Sequence, residues 1–519
     1  MSAKKSNLAK KINPNASRSK VFSSNLADPK CYPRFIERIR FFKFRHIQDL
    51  TLNFRTPVSV ISGTNKSGKT TVLLSIACSH FEFNKRDYAS GKIIRHTWSD
   101  VLKFTPHDKQ TSDWTYFLSI KAGDKRDTRR GQRKAATKKW NGVGKKETQV
   151  KDVEAVYIDL DRIQPARYYS SALHKKSQTE SPTNVSAKNQ VFIDDCVSYI
   201  LENNYSLKKI ANHLGEDVLG FVGESNEYSS YNCASGEDVL SRILIDCIEA
   251  PSYSLILIDE IELGLHPKVQ RRLMDIILEI SAKDQKQFII TTHSSTVMSC
   301  VPEKARIFID RRNEEHEPIS PISINAALSK MDSTQYPLID LFCEDEIAKK
   351  ICHKALFALN KINIPGISAS LINVVESGSA DLTYANFQSR QRTYEKIKIK
   401  SGHSCLLDGD MRNKLNSENK RIYPDEQGLH FLPGNLPPEK LLCDLYEKKN
   451  NNSQFRYHVD NSNVHCLLEK MTEFYGFTTK EAAFEAAWTC LLENETYLSE
   501  FENVVNFLVG ECRRYSPDL

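Results

Sequence analysis

The stretch PVSVISGTNKSGKTTVLLSIACSHF, residues 57–81, joins two apolar runs through a loop rich in glycine. The first run predicts a buried strand, and TTVLLSIACSHF predicts a helix. The loop GTNKSGKT, Gly63 to Thr70, fits the pattern G-x-x-x-x-G-K-[ST] in the strand, loop and helix context that the pattern requires. In such a loop backbone N–H groups surround phosphates, Lys69 reaches the outer phosphates, and the Thr70 hydroxyl binds Mg²⁺ at a helix N-terminus. The residues expected to contact a nucleotide here are Gly63, Asn65, Lys66, Ser67, Gly68, Lys69, Thr70 and Thr71.

Two further strand patterns supply chemical partners for this loop. In LILIDEIE, four apolar residues precede Asp259, which would hold Mg²⁺ through water, and Glu260, which would activate the attacking water. The alternative for this acid pair is a solvated strand end. QFIITTHSS ends a strand at His293, where a sensor of the γ-phosphate would lie. A lone histidine is more often structural, but its position after the strand that follows the acid pair favours a functional role. We therefore expect Lys69, Glu260 and His293 to be catalytic.

The segment ASGED, residues 234–238, begins a helix about twenty residues before the acid pair. Ser235, Gly236 and Glu237 stand at its N-terminus, where backbone N–H groups favour phosphate. Taken alone, the segment is more typical of an ordinary helix cap.

Together these segments resemble the ATP-binding-cassette head that the SMC and RecF ATPases share. FIERIRFFKFRHIQDLTLNF, residues 35–54, is similar to the first strands of that family, SGE to a shortened signature, and THSS to its switch histidine. The run IDEIELGLHP is especially similar to the OLD (overcoming lysogenization defect) nucleases. The resemblance implies ATP and Mg²⁺ as cofactors. It also implies a homodimer or a higher homo-oligomer, because in that family two heads enclose ATP and the signature serine of one faces the phosphates bound to the other.

Length and composition limit the classes of protein that could carry these motifs. A chain of 519 residues exceeds one ordinary core, so two or three domains are expected. The apolar content of 40% and the charged content of 26% are typical of a globular protein, and no sequence window is apolar enough to cross a membrane. The basic start has no apolar run after it, which argues against a secretory signal. The 13 scattered cysteines suit a reducing compartment. We expect a cytoplasmic protein without a membrane partner.

Alternating strand and helix patterns predict an α/β fold with a parallel sheet. The expected organisation is a disordered polar tail over 1–32, an ABC-type ATPase head over 33–335 with a large insertion at about 85–225, a small TOPRIM-like α/β domain over 336–450, and a helical C-terminal segment over 451–519.

Carboxylates recur in the C-terminal part of the chain. The run PLIDLFC leads to Glu344, and SCLLDGD ends with Asp408 and Asp410. In an extended segment the two aspartates would point the same way, so both could face one ion, with a glutamate from a neighbouring strand end completing an oxygen-rich site. Glu439 stands at the start of the helix in FLPGNLPPEKLL. The alternative for Asp-Gly-Asp is a solvated turn.

The order of these residues, with a glycine turn at 377–379, resembles the TOPRIM domain of OLD nucleases over roughly 338–445. The resemblance implies that Glu344, Asp408, Asp410 and Glu439 hold Mg²⁺ or Mn²⁺ for phosphodiester cleavage. It also makes Lys414 a candidate for stabilising charge in the transition state. One departure matters, because the family's glutamate is usually followed by glycine and here Asp345 and Glu346 follow it.

Three functional hypotheses follow. The first is an ATP-controlled nuclease of the OLD type in anti-phage defence. The second is an ATPase scaffold with an inactive TOPRIM fold that restrains or activates a separate effector or toxin, which the altered glycine and the insertion favour. The third is a RecF-like repair ATPase that binds DNA without cutting it. Residues 125–151 contain 11 Lys and Arg against two acids, so they could follow a DNA backbone, or form a solvated, mobile loop.

Overall fold

A computed structural model describes residues 12–86, 93–105, 107–108, 110–164, 166–213, 216–223, 226–312, 315–332, 335–397 and 402–517. The chain divides into two compact units, one ending at Met331 and the other beginning at Asp332. Both units alternate strands and helices, which confirms the predicted α/β class. Among the described residues, no helix has the length and apolar content needed to cross a membrane.

The strands of the first unit are β1 (Arg34–Phe44), β2 (Ile47–Asn53), β3 (Val58–Gly63), β4 (His80–Arg86), β5 (Ile93–Arg95), β6 (Trp114–Ala122), β7 (Lys125–Arg133), β8 (Trp140–Gly142), β9 (Val150–Ile158), β10 (Thr183–Asn184), β11 (Tyr205–His213), β12 (Glu216–Gly223), β13 (Glu227–Ser229), β14 (Leu255–Ile258), β15 (Gln287–Thr291), β16 (Arg306–Arg312) and β17 (Glu315–Ile319). Its helices are α1 (Pro14–Phe22), α2 (Lys69–Ala77), α3 (Trp98–Val101), α4 (Ser171–Ser177), α5 (Gln190–Leu201), α6 (Ser235–Glu249), α7 (Pro267–Asp284), α8 (Ser295–Ser299) and α9 (Ile324–Met331).

An eight-stranded sheet in the order β17-β16-β3-β15-β14-β9-β4-β5 forms the centre of the first unit. β3 and β14 both pair in parallel with β15, which lies between them, so the phosphate loop after β3 and the acid pair after β14 lie at the same edge of the sheet. All residues of β3, β14 and β15 are buried, as expected for strands covered on both faces. This topology brings the motifs recognised in the sequence to one place.

A five-stranded antiparallel sheet in the order β2-β1-β6-β7-β8 packs beside the central sheet. The hairpin of β1 and β2 confirms the strand pair predicted over 35–54. Its core is aromatic, with Phe44 lying 5.2 Å from Trp114 and 5.6 Å from Tyr116 between ring centroids. This aromatic packing holds β6 against β1, and β7 pairs in turn with β6, although the sequence predicts an insertion for both strands.

The predicted insertion at 85–225 is too large. β9 lies inside the central sheet, paired in parallel with both β14 and β4, because its buried residues, among them Ala155, fit between the two neighbouring strands. β6, β7 and β8 extend the antiparallel sheet. The separate part is a small four-stranded sheet, β10-β11-β12-β13, which packs with α4 and α5.

Part of the tail expected to be disordered is ordered. Residues 14–22 form α1, which packs on α7, and the side chain of Asn13 caps its N-terminus. The following segment is anchored by Lys121, whose buried ammonium donates hydrogen bonds to the carbonyls of Leu26, Asp28 and Cys31 at 2.7–2.8 Å. The prediction of disorder over 1–32 is therefore wrong for 14–32, because contacts distant in sequence hold a polar segment in place. Residues 1–11 of that prediction lie outside the described part of the chain.

The basic segment 125–151 is not a loop throughout. Its first nine residues form β7, which pairs antiparallel with β6 along its full length. Arg126 forms an ion pair with Glu37 at 2.9 Å and Arg129 one with Asp127 at 2.7 Å. Part of the positive charge on this strand is therefore matched by acids.

The second unit is built on a four-stranded parallel sheet in the order β19-β18-β20-β21. Its strands are β18 (Ile339–Cys343), β19 (Ile372–Glu376), β20 (Gly402–Leu407) and β21 (Leu429–Phe431). Its helices are α10 (Glu346–Ile362), α11 (Ala380–Ile397), α12 (Pro438–Asn450), α13 (Ser453–Asn461), α14 (Leu467–Tyr475), α15 (Lys480–Glu493) and α16 (Glu495–Tyr515).

The helices that follow Asn450 belong to the same unit as this sheet. α16 packs against α10 and contacts β18, β20 and β21, while α15 packs against α12. Buried polar contacts reinforce the packing, since the Ser404 hydroxyl on β20 donates to the Glu511 carboxylate at 2.7 Å. The predicted helical segment is thus part of the second unit's core.

Candidate functional site

The phosphate loop adopts the geometry that its glycines permit. Gly63 and Gly68 have φ values of 150° and 97°, and a Cβ at Gly63 would lie 2.6 Å from the Ile309 carbonyl oxygen. Both positions therefore require glycine. Lys69 begins α2, and its ammonium donates to the carbonyls of Gly63 and Thr64 at 3.0 and 3.1 Å. Burial lowers the pKa of Lys69, and the nearby carboxylates of Glu260, Asp259 and Glu262 oppose that shift.

The hydroxyl of Thr70 donates to Asp259 Oδ2 at 2.8 Å, so the two predicted Mg²⁺ ligands stand side by side. Asp259 is 2% exposed, and Thr291 Oγ1 donates to its other carboxylate oxygen at 2.5 Å. The Tyr157 hydroxyl also donates to Asp259, at 3.4 Å. A carboxylate and a hydroxyl held this way offer the hard oxygen ligands that Mg²⁺ prefers, so these residues fit the ion.

Glu260 stands at a strained position of the backbone. Its φ of 46° is unusual for a residue other than glycine, and strain of this kind is concentrated at functional sites. Its amide donates to Thr291 Oγ1 at 2.8 Å. Burial, together with the charges of Asp259 and Glu262, raises the pKa of Glu260. A carboxylate with a raised pKa is a better proton acceptor, as the predicted role requires.

Arg162 supports this turn, and the sequence interpretation missed it. Its guanidinium, 1% exposed, donates to the carbonyls of Asp159, Asp259 and Glu260 at 2.6, 2.9 and 2.6 Å. Arg162 lies in a short 3₁₀ segment after β9, about a hundred residues before the acid pair. No local pattern marks such a residue, because its partners are backbone atoms of a distant loop.

His293 lies where the sequence predicted it, directly after β15 and its following threonine. Its amide donates to Glu262 Oε1 at 2.6 Å, and the Thr292 hydroxyl donates to Glu262 Oε2 at 2.7 Å. Burial lowers the pKa of the imidazole, and the charge of Lys69 lowers it further. Glu262, which the sequence interpretation did not assign to the site, therefore positions the backbone that carries His293.

Ser235, Gly236 and Glu237 begin α6, as predicted. Glu237 does not project freely, because its carboxylate accepts from the Ala234 amide and the Tyr228 hydroxyl, both at 3.0 Å. A Cβ on Gly236 would lie 2.7 Å from the carbonyl oxygen of Gly264, in the loop after the acid pair. The signature segment is therefore packed directly against that loop.

In the second unit, Glu344 and Asp408 follow the adjacent parallel strands β18 and β20. Glu344 Oε1 accepts a hydrogen bond from the Asp408 amide at 2.8 Å, and each residue is 7% exposed. Within the described residues, Asp408 Oδ1 and Asp410 Oδ1 are buried without a hydrogen-bond partner. This hydrogen bond brings Glu344 to the backbone of Asp408, but the three-residue group whose ligand atoms all lie within 4.8 Å of one another among the described residues includes neither Glu344, Asp408 nor Asp410. The predicted extended backbone is also not present. Residues Gly409–Asn413 form a 3₁₀ helix instead of continuing an extended strand, because a Cβ at Gly409 would lie 2.3 Å from the Gly434 oxygen and the chain turns there.

The charges of these acids repel one another. Burial raises the pKa of Asp408 to about 9, and the carboxylates of Glu344, Asp345, Asp410 and Glu439 add to the shift. Burial likewise raises the pKa of Glu344 to about 7, with a contribution from Asp410. The pKa of Asp410 is also raised by burial, while Lys414 lowers it. A proton or a divalent cation would relieve this repulsion and satisfy the unpartnered oxygens.

Glu439 lies at the start of α12 and is 4% exposed. Its Oε1 lies 3.3 Å from His465 Nδ1, and burial raises the pKa of its carboxyl. Asp345, the residue that replaces the expected glycine, caps α10 by accepting from the amides of Ile347 and Ala348 at 3.0 and 2.9 Å. Among the described residues, the set of three whose ligand atoms all lie within 4.8 Å of one another is Asp345, Glu439 and His465.

Lys414 ends the 3₁₀ segment, and its ammonium lies 3.6 Å from Met411 Sδ. It is exposed, and its charge lowers the pKa of both Glu344 and Asp410. The side chain is thus close enough to influence the acidic cluster electrostatically, as its proposed role requires.

Two family models match the chain. Residues 36–227 match a model described as "AAA domain", and residues 198–299 match one described as "AAA domain, putative AbiEii toxin, Type IV TA system". Both matches lie in the first unit, and between them they include the phosphate loop, the acid pair and His293. The match at 36–227 also spans β6 to β9, in agreement with their place in the sheets of this unit.

A curated relative, "Retron Vc95 probable ATPase" of Vibrio cholerae serotype O1 biovar El Tor, is 28% identical over 136 residues. The aligned part is 23% of this chain and 26% of that relative. Similar solved structures include the SMC head domain from Thermotoga maritima, at 12% identity and a TM-score of 0.35, covering 55% of this chain and 98% of that one. The Smc head domain of Pyrococcus furiosus has 12% identity and a TM-score of 0.37, covering 57% of this chain and 98% of that one. The recombination mediator RecF has 12% identity and a TM-score of 0.34, covering 55% of this chain and 98% of that one.

The two family matches and the loop geometry together show that the first unit carries an ATPase domain of the AAA type.

Proposed function

We propose that this protein is an ATP-hydrolysing nuclease in which the first unit's nucleotide site controls divalent-metal-dependent cleavage of DNA by the second unit. The observation that carries the nuclease part is the buried pair Glu344 and Asp408. They follow adjacent parallel strands, and a carboxylate oxygen of Asp408 has no protein partner among the described residues. Buried, unpartnered carboxylate oxygens are unfavourable unless a cation or a proton neutralises them.

At the nucleotide site, each side chain has a distinct role. Lys69 and the backbone of the loop hold the phosphates of ATP, and Thr70 and Asp259 hold Mg²⁺. Glu260 accepts a proton from the water that attacks the γ-phosphorus, while the bond from phosphorus to the bridging oxygen of ADP breaks. His293 would lie beside the γ-phosphate, and burial and the charge of Lys69 lower the pKa of its imidazole. Ser235 and Gly236 contact the nucleotide bound to a second copy of the chain, so ATP would favour a homodimer.

At the second site, Glu344, Asp408, Asp410 and Glu439 would hold Mg²⁺ or Mn²⁺. A bound divalent cation supplies the charge that activates water and stabilises the leaving oxygen when a phosphodiester bond breaks. The strand ends fix Glu344 and Asp408 through the backbone hydrogen bond, and Lys414 places a positive charge beside them. In this proposal the four carboxylates would share the cation, and Lys414 would stabilise the phosphate.

The biological role that we propose is anti-phage defence. The relative from Vibrio cholerae is named as a retron ATPase, and the resemblance of the acid strand to OLD nucleases implies the same setting. DNA is then the expected substrate, with a separate effector as a further partner.

Cleavage of supercoiled plasmid with Mg²⁺ or Mn²⁺ tests the proposal. We expect the wild-type protein to nick plasmid and Asp408→Asn to lose nicking while it keeps ATP hydrolysis. Asp425→Asn is the matched control, because the Asp425 side chain is 85% exposed and pairs with Arg421. Lys69→Ala should lose ATP hydrolysis by at least about 100-fold, since the charge on the outer phosphates is no longer balanced. Normal turnover by Lys69→Ala would contradict the nucleotide assignment.

A second candidate function is an ATPase scaffold that restrains or activates a separate effector. Asp345 favours it, because its carboxylate is engaged in capping α10 where the nuclease family has glycine. If purified protein with either metal never nicks DNA, although Lys69→Ala abolishes ATP hydrolysis, the scaffold is the better description. Co-purification of a neighbouring gene product, lost in the Lys69→Ala variant, would then identify the effector.

A further inference from the structure

We propose that one face of the sheet β2-β1-β6-β7-β8 binds single-stranded nucleic acid by stacking on its unpaired bases. Residues on β1 alternate between the two faces of the sheet, as strand geometry requires. Ile39 and Phe41 are buried on the core side, whereas Arg40 and Phe42 are exposed on the other side. We call the second side the outer face; its central residues are Arg38, Arg40 and Phe42 of β1, Phe117 and Ser119 of β6, and Thr128 and Arg130 of β7.

Two phenylalanine rings stand next to each other on the outer face. Phe42 is 50% exposed, and its ring centroid lies 5.6 Å from that of Phe117 in an edge-to-face arrangement. Phe117 comes from the neighbouring strand and is partly buried. The exposed ring of Phe42 offers a flat apolar surface on which a base can stack.

Arginine side chains surround these rings. The guanidinium carbon of Arg40 lies 4.5 Å from the centroid of the Phe42 ring. In the strand register Phe117 is opposite Arg40 on one side and Arg130 on the other, and side chains opposite each other share a face. The row across the sheet is therefore arginine, phenylalanine, arginine. Positive charges that flank aromatic rings complement a strand of phosphates and bases.

Much of this positive charge is available to a ligand. Arg40 forms an ion pair with Asp49 at 3.4 Å, but both side chains are exposed, so solvent screens the pair. Arg38 donates to the Ser119 hydroxyl at 3.5 Å. Arg130 is exposed and forms no ion pair with an acid in the described part of the chain. These guanidinium groups can therefore donate to phosphate oxygens.

The other end of the outer face is covered by the chain itself. Phe35 on β1 lies opposite Lys121 on β6, and both residues are buried. The ammonium of Lys121 donates to three carbonyls of the segment 26–31 and holds that segment over this end. The chain thus covers the outer face at Phe35 but leaves it open at Phe42, where the two rings and the arginines lie.

Single-stranded nucleic acid fits these features better than a duplex or a protein does. The bases of a duplex are stacked on one another, so a duplex would contact the arginines through its phosphates and would not use the rings. A protein partner would bury an interface centre that is depleted in charge, whereas the two rings here stand among arginines and hydroxyl groups. Unpaired bases present the same ring faces whether they belong to DNA or to RNA.

This site is separate from both sites of the proposed function. Its side chains belong neither to the phosphate loop nor to the acidic cluster of the second unit, so binding requires no ATP, no metal ion and no cleavage. Failure of the nuclease proposal would therefore appear as absent plasmid nicking, with the binding of single strands unchanged.

Fluorescence anisotropy tests the inference with a labelled oligodeoxythymidine and a labelled oligouridine of about 15 nucleotides, near the site size of such proteins. Full-length, nucleotide-free protein is used with EDTA, which prevents metal-dependent cleavage. Phe42→Ala should weaken binding to single strands at least about fivefold and leave binding to a duplex of the same length unchanged. The slope of log K against log salt should not change, because a ring and not a charge is removed. Loss of binding for one of the two oligonucleotides would identify DNA or RNA as the ligand.

Further variants separate stacking from charge. Phe42→Trp should bind at least as tightly as the wild type, because an indole ring also stacks on bases. Arg130→Gln should weaken binding and reduce the salt slope by up to about 0.7, the value for one phosphate of a single strand. Phe357→Ala is the matched control, since Phe357 is an exposed phenylalanine of α10 with the Lys361 ammonium 4.6 Å from its ring centroid, and it should bind as the wild type does.

Equal single-strand affinities of the wild type and Phe42→Ala would overturn the inference, as would an equal loss of affinity for the duplex. Absence of binding to both oligonucleotides by the wild-type protein would overturn it as well. A changed oligomeric state of Phe42→Ala in light scattering, with unchanged oligonucleotide affinity, would instead assign the outer face to a contact between copies of the chain.

Discussion

The carboxylate of Glu344 accepts a hydrogen bond from the backbone amide of Asp408 at 2.8 Å, and this contact links the ends of two adjacent parallel strands, β18 and β20. It lies at the carboxyl edge of the sheet, where open α/β sheets bind their ligands. One acid thereby fixes the backbone that carries the other. Glu344 therefore has two expected roles. Its carboxylate oxygen accepts the hydrogen bond that holds the Asp408 backbone, and its negative charge is expected to bind a cation.

Substitutions at Glu344 separate these two tasks. Glu344→Gln keeps an oxygen acceptor for the Asp408 amide, whereas Glu344→Ala leaves that buried amide without a partner. We expect Glu344→Gln to be more stable than Glu344→Ala by about 1–3 kcal/mol in urea unfolding, while both lose metal-dependent nicking. Equal stability of the two variants would show that the hydrogen bond is not important for the fold.

The pKa of Asp408 predicts how stability and metal binding depend on pH. Burial and neighbouring acids raise this pKa from 3.8 to about 9, so between these values the folded protein holds a proton that the unfolded chain has released. The contribution of Asp408 to the free energy of unfolding is therefore complete below its ordinary pKa of 3.8, and it is lost as the pH rises toward 9. A bound cation must displace the same proton, so the apparent affinity for Mg²⁺ should rise up to about tenfold for each pH unit between 7 and 9.

Calorimetric titrations with Mg²⁺ in buffers of different ionisation enthalpy would measure the proton that is released. Asp408→Asn should remove that proton release and flatten the loss of metal-free stability from pH 6 to pH 9. An unchanged pH profile in Asp408→Asn would assign the buried proton to another group of the cluster.

The exposed lysines after β7 should contribute to DNA binding through charge alone. Lys138 and Lys139 lie in the turn between β7 and β8, while Arg126 and Arg129 on the strand are paired with acids. Replacing both lysines with glutamine should weaken binding to DNA of any sequence. It should also reduce the slope of log K against log salt by up to about 0.9 for each phosphate that the variant no longer neutralises. Fluorescence anisotropy at several salt concentrations measures this slope.

The control is a second double variant in which Lys175 and Lys188 are replaced with glutamine. It changes the net charge by the same amount, and both lysines are exposed elsewhere in the first unit. If the two double variants have equal salt slopes, the basic segment does not follow a phosphate backbone.

Much of the site could be predicted because its motifs follow buried strands. The run LILI places Asp259 and Glu260 at the end of β14, and LIDLFC places Glu344 at the end of β18, so strand prediction alone brings these residues to sheet edges. Other features depend on distant contacts. The sequence pattern could not place β9 in the central sheet, because its parallel partners β4 and β14 are far from it in sequence. Asp410 lies in a 3₁₀ turn where the absence of a side chain at Gly409 permits close packing on Gly434. His465 lies in a helical segment with no metal-binding spacing around it.

Arg162 offers a test of a residue that acts only through backbone positions. It donates to the carbonyls of Asp259 and Glu260, and Glu260 has a strained φ of 46°. Because it holds the turn that aims Glu260 and does not belong to the phosphate loop, its loss should affect turnover more than nucleotide binding. We expect Arg162→Met to lower the kcat of ATP hydrolysis by about 10- to 100-fold, as misplacement of a catalytic group does. The Kd for ATP, measured with a fluorescent analogue, should stay within about threefold of the wild-type value, since the phosphate loop is unchanged.

Arg126→Met replaces an exposed arginine of β7 that is paired with Glu37. It is the matched control and should change neither kcat nor the Kd for ATP. Arg162→Lys should recover part of kcat, because an ammonium can donate to one or two of the same carbonyls. A parallel loss of ATP affinity and kcat in Arg162→Met, with a lower melting temperature that Arg162→Lys does not correct, would instead mean that Arg162 supports the fold of the whole unit.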